Sequence, residues 1–332
     1  MAKFLYDPAG QVTAVMMILV TGGAGFIGSH LVDRCVADGH AVRVIDDLSN
    51  STRSSLKSHL RKRTVEFLKG DIRDRKLVRK AVRDVDALFH EAAQVSVPLS
   101  LDDPLYTDDV NVRGTLSLLI AARDEGVERF VYASSSSVYG DPASLPVKES
   151  SPLRPLSPYA ASKIAAEAYC TSFHKSGGLS TVCLRYFNVF GLRQGPDGYA
   201  SVIPAFIRSL LSGRPMTIFG DGTQTRDFIH VGDVVEANTL ALTADMAIGE
   251  AINIGSGKSV SISELANMLR EISGTRSPAP VHVAARKGDV KHSVADITNA
   301  RRLLGHTPRT DLRSNLESLF KSYRQHFENK KR

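Results

Sequence analysis

Cysteine and tryptophan are scarce in this chain of 332 residues, which has three cysteines and no tryptophan. Cys35, Cys170 and Cys183 are odd in number and widely spaced, and this excludes a disulfide framework and a cysteine-based zinc site. The ten histidines form no ligand set either. We therefore expect no bound metal, and a reducing compartment such as the cytoplasm.

Long apolar runs are also missing. No segment approaches the ~20 apolar residues that a membrane helix needs, so we expect no membrane partner. The run from Val15 to Val20 is too short, and too soon followed by glycine, to form the core of a signal peptide, and it predicts a strand. Residues 1–15 are then expected to be an extension, with Met16 or Met17 as alternative translation starts.

The chain carries a net charge of +7, from 42 Lys and Arg residues against 35 Asp and Glu residues. The basic residues are scattered, apart from residues 61–63 and 330–332, and no aromatic residues interleave them. Nucleic-acid binding is therefore not expected, since solvated faces and a small anionic ligand account for the charge equally well.

Short β-rich runs alternate with helix-length periodic segments across the first half of the chain. The predicted strands are 17–21, 41–45, 64–68, 87–90, 129–133 and 180–186, and the predicted helices are 26–38, 74–85, 104–125 and 158–175. This alternation predicts right-handed βαβ units in a parallel sheet, which is an α/β fold of the Rossmann type, doubly wound. After Tyr186 glycine, proline and arginine become frequent, which indicates a smaller mixed α/β substrate lobe.

The boundary is marked by this change in composition and not by a linker. We assign residues 1–188 to the Rossmann domain and residues 189–332 to the C-terminal lobe. Part of the lobe is expected to return to the Rossmann sheet.

A glycine-rich turn follows the strand in MMILVTGGAGFIGSH. Gly22, Gly25 and Gly28 permit a tight turn, close approach of a pyrophosphate and close helix–strand packing. The helix that opens at Phe26 and Ile27 offers free N–H groups and a positive dipole end to the same anion. These residues predict a dinucleotide-binding loop.

An acidic residue, Asp46, ends the next predicted strand. A carboxylate there can accept hydrogen bonds from the adenosine ribose and would repel a 2′-phosphate, so NAD is favoured over NADP. Asp71 and Ile72 in GDIRD follow the third strand and are predicted to contact the adenine. The alternative is that this segment is a turn without a ligand contact.

A tyrosine and a lysine stand four residues apart in SPYAASK, so Tyr159 and Lys163 share one helix face. An ammonium stabilises a phenolate, and an unperturbed tyrosine with a pKa of about 10 needs such help, together with a nicotinamide cation, to act as a base near neutral pH. A serine hydroxyl from SSSSVYG, which ends a neighbouring strand, can orient or relay the proton.

Taken together, these motifs resemble the extended short-chain dehydrogenase/reductase family, in its nucleotide-sugar 4-epimerase branch. The resemblance covers residues 16–325 and includes TGGAGFIGSH, GDIRD, HEAA, SSSSVYG, PYAASK, LRYFNVFG, QTRDFIHVGDVV, NIGSG and RKGDVKHSVAD in order. It implies an NAD-binding Rossmann domain and a UDP-sugar-binding lobe. It also implies that Tyr159 is the base, Lys163 its tuning residue and Ser135 the catalytic hydroxyl, with Asn111 and Tyr186 in contact with the cofactor.

The two residues after Ser135 separate the reactions of this family. Family dehydratases carry Asp-Glu there, and UDP-glucuronate decarboxylases carry Glu at the second position. Elimination needs an acid and a base beside the sugar. Ser136 and Ser137 are hydroxyls, so the resemblance implies a 4-epimerase, an isomerase that transiently oxidises C4 and reduces it again.

The substrate positions of the family also have counterparts here. By resemblance Asn188, Arg226 and Arg286 bind the diphosphate, Asp289 binds the uridine ribose and Phe219 packs on the uracil; guanidinium groups suit phosphate oxygens and aromatic rings stack on bases.

The small residue Ser293 stands where epimerases restricted to UDP-glucose and UDP-galactose carry a bulky residue. GDVKHSVAD and the SVP segment that begins at Ser96 are similar to UDP-N-acetylhexosamine epimerases. We therefore expect UDP-GlcNAc and UDP-GalNAc to be preferred, with UDP-Glc and UDP-Gal also accepted.

Two alternatives stay open. The same fold could act on UDP-glucuronate, as a 4-epimerase or decarboxylase, or the chain could be a non-catalytic NAD-binding protein. The resemblance further implies a homodimer built from helices 104–125 and 158–175 of each subunit.

Overall fold

The computed structural model describes residues 4–6, 12–195, 202–274, 278–285 and 290–329, with side chains described from residue 15 onward. Fifteen strands lie within these ranges: β1 Phe4–Tyr6, β2 Val12–Ala14, β3 Met17–Thr21, β4 Ala41–Asp46, β5 Val65–Lys69, β6 Ala87–His90, β7 Arg129–Ser135, β8 Thr181–Tyr186, β9 Asn188–Phe190, β10 Thr217–Phe219, β11 Thr225–Arg226, β12 Phe228–His230, β13 Ala251–Ile254, β14 Val260–Ser261 and β15 Val281–Val283.

Twelve α-helices lie within the same ranges: α1 Phe26–Ala37, α2 Lys57–Lys62, α3 Arg75–Val82, α4 Val97–Asp102, α5 Pro104–Asp108, α6 Thr115–Asp124, α7 Pro158–Gly177, α8 Val202–Leu211, α9 Val231–Ala241, α10 Ile262–Ser273, α11 Thr298–Leu304 and α12 Leu312–Asn329. Short 3₁₀ turns cover Arg53–Leu56, Ser136–Tyr139 and Asp245–Ala247, and one π-helical turn, Asp109–Gly114, joins α5 to α6.

Seven parallel strands form the central sheet in the order β13-β8-β7-β6-β3-β4-β5. The chain moves outward from β3 to β5 and then returns to the other side of β3 with β6. This reversal creates a topological switch point between β3 and β6, where open α/β sheets bind their ligands at the carboxyl ends of the strands. The predicted Rossmann-type fold is confirmed.

Both faces of the sheet are covered, which explains why its strands are almost continuously apolar. One core packs the sheet against α1, α9 and α11, and a second core packs the opposite face against α3, α6 and α7. All six residues of β8 are buried.

A third core holds α8, α10 and α12 together at the carboxyl edge of the sheet. Strand β13, from the second half of the chain, pairs with β8 at the end of the central sheet. The division of the chain at residue 188 stays a prediction.

Local signals set the helix that carries the tyrosine and lysine. Ser157 caps the N-terminus of α7 by accepting from the Ala160 amide, Pro158 occupies the first turn, and Gly178 ends the helix in the left-handed region. Two predicted helices differ in detail. Helix α3 ends at Val82 because Arg83 leaves the helical conformation with a ψ of 132°, and Asp84 follows with a φ of 59°. The predicted helix 104–125 is interrupted by the π-helical turn.

Across the described ranges, we find no helix with the length and apolar character needed to cross a membrane.

Candidate active site

A cleft of about 1700 Å³ lies at the carboxyl edge of the sheet, over the switch point. We call its two sides the cofactor wall, which comprises the glycine turn, Asp46, Glu91, Ser135, Tyr159 and Lys163, and the substrate wall, which comprises Asn188, Phe219, Arg226 and Ser293. All of these residues line the cleft.

The glycine turn is too tightly packed for larger residues. Gly22 has a φ of +66°, and a Cβ atom there would lie 2.8 Å from the Ala92 nitrogen. A Cβ on Gly28 would lie 2.3 Å from the Gly22 oxygen. Helix α1 begins at Phe26 with Gly25 as its N-cap, and no side chain caps it. Its first amides, including that of Ile27, therefore face the cleft as an anion site, which fits a dinucleotide pyrophosphate.

Asp46 is buried at the end of β4 and organises the loop around it. Its carboxylate accepts from the Ala24 amide at 2.9 Å, the Leu48 amide at 2.8 Å and the Ser51 hydroxyl at 2.9 Å. Three bonds leave acceptor capacity on a carboxylate, so this group is oriented and can still receive a ribose hydroxyl, as the sequence predicts.

Asp71 lies in the cleft with its carboxylate held by Arg73, whose Nη2 donates to Oδ2 at 2.6 Å. Burial opposes ionisation, but the hydrogen bonds and charge of Arg73 outweigh it and lower the pKa of Asp71. Ile72 is buried beside it against Gly114, where a Cβ atom would come within 2.6 Å of its side chain. An adenine contact at these two residues stays a prediction.

Tyr159, Lys163 and Ser135 come together at the junction of β7 and α7. The Ser135 hydroxyl accepts from the Ser137 amide at 3.2 Å and lies close enough to the Tyr159 phenol to lower the pKa of that phenol. Lys163 donates to the Ala133 carbonyl at 2.8 Å, and its Nζ lies 5.9 Å from the centre of the Tyr159 ring. The predicted face-sharing of the tyrosine and lysine is thus present.

Burial shifts the titration of both residues. It raises the pKa of Tyr159, which the hydrogen bond from Ser135 opposes and the charge of Glu91 reinforces. It lowers the pKa of Lys163 to about 8, against the charges of Glu91 and Glu167. The phenol is therefore neutral in the protein by itself, and a cation bound beside it is needed to bring it towards ionisation.

Asn111 lies behind the cleft and is 1% exposed. Its side chain accepts from the Gln94 amide at 2.8 Å and donates to the Gln94 carbonyl and to Ser162 Oγ, each at 2.9 Å. Ser162 in turn donates to the Tyr159 carbonyl at 2.8 Å. Asn111 thus ties the loop after β6 to helix α7, and a direct cofactor contact for it stays a prediction.

Tyr186 ends β8 and lines the cleft, where its hydroxyl bonds to Glu91 Oε1 at 2.9 Å and to the Asn238 side chain. Ser136 and Ser137 also line the cleft. The Ser137 hydroxyl is buried and makes no hydrogen bond within the described part of the chain. Neither position offers the carboxyl group that elimination requires.

The substrate wall gathers side chains from separate segments. Phe219 ends β10, Arg226 ends β11, Asn188 begins β9, and Ser293 lies in the segment after β15. Ser96 caps α4 and lines the cleft as well. Arg286 and Asp289 lie outside the described residues.

Asp227, which sequence reasoning missed, ties the substrate wall together. This fully buried carboxylate accepts from the Ser256 amide at 2.7 Å, the Gly257 amide at 3.0 Å and the Ala295 amide at 3.0 Å. It therefore fixes Arg226, its neighbour in sequence, relative to the segment that carries Ser293. Glu91, in the motif HEAA, was also missed as a site residue; its position directly after a buried strand was the available signal.

Comparison with known proteins places the chain in context. Residues 18–255 match the model of the NAD dependent epimerase/dehydratase family. The UDP-glucose 4-epimerase of Mycolicibacterium smegmatis is 41% identical over 311 residues, which cover 93% of this chain and 99% of that one.

Two solved structures resemble the fold closely. The UDP-N-acetylglucosamine 4-epimerase of Methanobrevibacter ruminantium, in complex with UDP-N-acetylmuramic acid, has a TM-score of 0.89 and 38% identity, over 94% of this chain and 99% of that one. The UDP-glucose 4-epimerase of Thermotoga maritima, with UDP-glucose, has a TM-score of 0.89 and 37% identity, over 94% of this chain and 100% of that one.

Proposed function

The chain belongs to the NAD dependent epimerase/dehydratase family, and from that premise we propose that it is a 4-epimerase of UDP-hexoses. One observation carries the proposal: a dinucleotide cradle, a Tyr159–Lys163–Ser135 cluster and the substrate wall share one cleft, and the two positions after Ser135 carry hydroxyls. This arrangement supports oxidation and reduction at one carbon without elimination.

The resident cofactor is NAD, as the family match and the sequence both indicate. We propose that the amides at Gly25, Phe26, Ile27 and Gly28 hold its pyrophosphate, that Asp46 holds the adenosine ribose, and that Asp71 and Ile72 flank the adenine. Gly22 allows the turn. When bound, NAD takes a hydride from the sugar and returns it.

Tyr159 is proposed as the base that removes the proton of the C4 hydroxyl, through or beside the Ser135 hydroxyl, which lowers the pKa of the phenol. Lys163 serves as the cation that favours the phenolate and as a ligand of the nicotinamide ribose. After the keto sugar has rotated within the cleft, the same phenol gives its proton back to the new C4 hydroxyl. A base placed in this way contributes roughly 10²–10⁴-fold in rate.

The substrate wall is proposed to hold the UDP moiety while the sugar turns. The Arg226 guanidinium suits the diphosphate, with Asn188 beside it, and Phe219 offers a face for the uracil. Arg286 and Asp289 are assigned to the diphosphate and the uridine ribose on the sequence resemblance alone.

Substrate preference is proposed to depend on the small residues near the sugar. Ser293 is 9% exposed and lines the cleft. A hydroxymethyl group there, with Ser96 also lining the cleft, supports acceptance of an N-acetyl group, so we assign UDP-GlcNAc and UDP-GalNAc as preferred substrates and UDP-Glc and UDP-Gal as tolerated ones. A pocket with spare room rejects a smaller group weakly.

The test is a substrate panel with separation of the products. Purified protein is incubated with UDP-GlcNAc, UDP-GalNAc, UDP-Glc, UDP-Gal and UDP-glucuronate. We expect interconversion within the acetylated pair and, more slowly, within the plain pair. Inertness towards both pairs would overturn the proposal, and turnover of UDP-glucuronate alone would select the alternative reaction.

A homodimer is proposed on the apolar outer surface of α4, α5 and α7. Leu101 is 58% exposed, Leu105 81% and Tyr169 38%. Exposed apolar residues on neighbouring helices are typical of an interface. The mass in solution, measured by light scattering, should be that of a dimer, and Leu105→Lys should shift it towards the monomer.

Three buried, free thiols fit a reducing compartment such as the cytoplasm.

A further inference from the structure

Glu91 has no role in the reaction as proposed above, yet it stands at the centre of the cofactor wall. It directly follows β6, at the switch point of the sheet. Its amide donates to the Thr21 carbonyl at 3.2 Å, and the next residue, Ala92, packs against Gly22. The carboxylate is thus attached to the turn that begins the dinucleotide cradle.

The two oxygens of this carboxylate have different surroundings. Oε1 accepts from the Tyr186 hydroxyl at 2.9 Å, and that hydroxyl accepts from Asn238 Nδ2 at 2.7 Å. Within the described part of the chain no hydrogen bond reaches Oε2. The side chain is half-buried and lines the cleft, so one oxygen is fixed by Tyr186 while the other is left without a hydrogen bond from the described residues, in a side chain that borders the ligand space.

Glu91 also acts electrostatically on the catalytic pair. Its charge raises the pKa of both Tyr159 and Lys163, in each case as a smaller effect than burial. Burial raises the pKa of Glu91 itself to about 7, against the hydrogen bond from Tyr186 and the charge of Lys163. The carboxylate therefore lies within electrostatic reach of the groups that surround the reacting end of the cofactor.

The path of the dinucleotide follows from these positions. Its pyrophosphate binds at the N-terminus of α1, and its reacting end must lie beside Tyr159 and Ser135. Glu91 is located between these two points, next to Tyr186. A ligand that spans the cofactor wall therefore passes the free oxygen of Glu91 near its nicotinamide end.

We propose that the Glu91 carboxylate is a counter-charge for the oxidised nicotinamide ring, which makes the bound cofactor harder to reduce and so favours return of the hydride to the sugar. The inference takes from the proposed function the location of the nicotinamide beside Tyr159. Glu91 is a positioning and tuning residue in this role, not a base.

The charge balance explains why a carboxylate has this effect. When the C4 carbon gives up a hydride, the ring gains two electrons and one proton and its charge falls from +1 to zero, while the hydroxyl proton goes to Tyr159. A negative group attracts the ring only in the oxidised state. Because the cleft is partly shielded from water, that attraction is stronger than it would be in bulk solvent. An epimerase must return every hydride to the sugar. Stabilising the oxidised ring favours that return, and it makes release of the keto sugar, which would leave the cofactor reduced, less frequent.

The test is a redox titration of the holoprotein without any sugar, at a pH well above 7 where the Glu91 carboxylate is ionised, against a mediator couple of known potential, with the absorbance of the reduced nicotinamide as the readout. Glu91→Gln keeps an acceptor for Tyr186 and removes the charge. We expect about a tenfold shift of the equilibrium towards the reduced cofactor, which is a rise of about 30 mV for two electrons. Glu91→Leu, also neutral, should show the same rise and serves if the glutamine variant does not fold.

Two controls separate charge from structure. Glu66→Gln removes an exposed carboxylate on the edge strand β5, where it pairs with Arg43 of β4, and it should leave the potential unchanged. Tyr186→Phe removes the hydrogen bond that lowers the pKa of Glu91, but at a pH well above 7 the carboxylate stays ionised, so any rise should be well below tenfold. An unchanged potential in both neutral variants of Glu91, or an equal rise in Tyr186→Phe, would overturn the inference. Since no sugar is present, a shifted potential in a protein that fails the substrate panel would leave the inference standing and the proposed function refuted.

Discussion

The two walls of the cleft are built in different ways. The cofactor wall is made of strand ends and the first turns of α1 and α7, so backbone hydrogen bonds of the central sheet hold its residues in place. The substrate wall brings together Asn188, Phe219, Arg226 and Ser293 from short strands and connecting segments. One buried carboxylate, Asp227, ties the segment of Arg226 to the segment of Ser293 and to residues 256 and 257.

This difference assigns different tasks to the two walls. A rigid cofactor wall suits chemistry that must occur in reverse at the same place, since the hydride and the proton return to the atoms that they left. A wall assembled from separate segments is where related enzymes can change the sugar that they accept without disturbing the chemistry. Substitutions confined to one wall should therefore change either the chemistry or the choice of substrate.

The strongest test of the cofactor wall is Tyr159→Phe. Removal of the phenol oxygen should lower kcat at least ~10²-fold, because the base and the partner of Ser135 are both lost. The bound NAD, measured in the purified protein, should remain, since the glycine turn and Asp46 are untouched. Retained activity would remove Tyr159 from its role.

The substrate wall can be altered without touching the chemistry by Ser293→Tyr. Filling the space beside the sugar should lower kcat/KM for UDP-GlcNAc about 5- to 150-fold more than for UDP-Gal, since overpacking costs about 1–3 kcal/mol. The ratio of the two kcat/KM values is the measurement, and Ser293→Ala, which keeps the space open, is the matched control. Equal losses for both sugars would refute the proposed gate.

Asp227→Asn should weaken the substrate wall as a whole. The amide places an NH₂ group against backbone donors, and an unsatisfied buried group costs about 1–3 kcal/mol. We expect KM for UDP-sugars to rise about 10-fold, with the NAD content unchanged and kcat little affected. Asp221→Asn, which changes an exposed carboxylate six residues earlier in the chain, is the control. A fall in kcat with constant KM would contradict the assignment of Asp227 to substrate positioning.

The cofactor wall also rests on a neutral buried histidine. His90 lies between the hydroxyls of Thr21 and Thr115, each at 2.8 Å, and burial lowers its pKa from 6.5 to about 3, with the charge of Lys163 adding to the shift. Below pH 6.5 the unfolded chain takes up a proton that the folded protein does not accept until about pH 3.

The free energy of unfolding should therefore fall as the pH drops through this window, by up to about 1.4 kcal/mol per pH unit from this residue. Chemical denaturation of the wild type and of His90→Gln at several pH values isolates the contribution, because other groups cancel in the difference. The same slope in both proteins would show that His90 is protonated in the folded state.

Much of the cofactor wall was predictable from the sequence, because its signals are local. Strand 17–21 runs directly into the glycine turn, and Tyr159 and Lys163 are four residues apart, so each signal can be recognised in a short stretch of sequence. The topology of the sheet then brings these two stretches to the same edge. Glu91 and Asn111 were harder to assign, since their roles depend on partners far away in the chain, such as Tyr186 and Gln94.

The substrate wall was less predictable in physical terms. Its residues were identified through a family resemblance and not through periodicity, because no short sequence pattern predicts that Arg226 and Ser293 line the same cleft. The bonds of Asp227 to residues 256, 257 and 295 are long-range in sequence, and no local signal announces them. The π-helical turn at Asp109–Gly114 was likewise hidden inside an otherwise continuous helical pattern.

The central claim is that one hydrogen leaves C4 of the sugar and returns to the same carbon while the sugar stays in the cleft. UDP-GlcNAc that carries deuterium at C4 can be incubated with the protein in ordinary water and the UDP-GalNAc product analysed by mass spectrometry. We expect the deuterium to be retained at C4 of the product, since a hydride held by the bound cofactor does not exchange with solvent. Epimerised product in which C4 has acquired hydrogen from water would contradict the central claim.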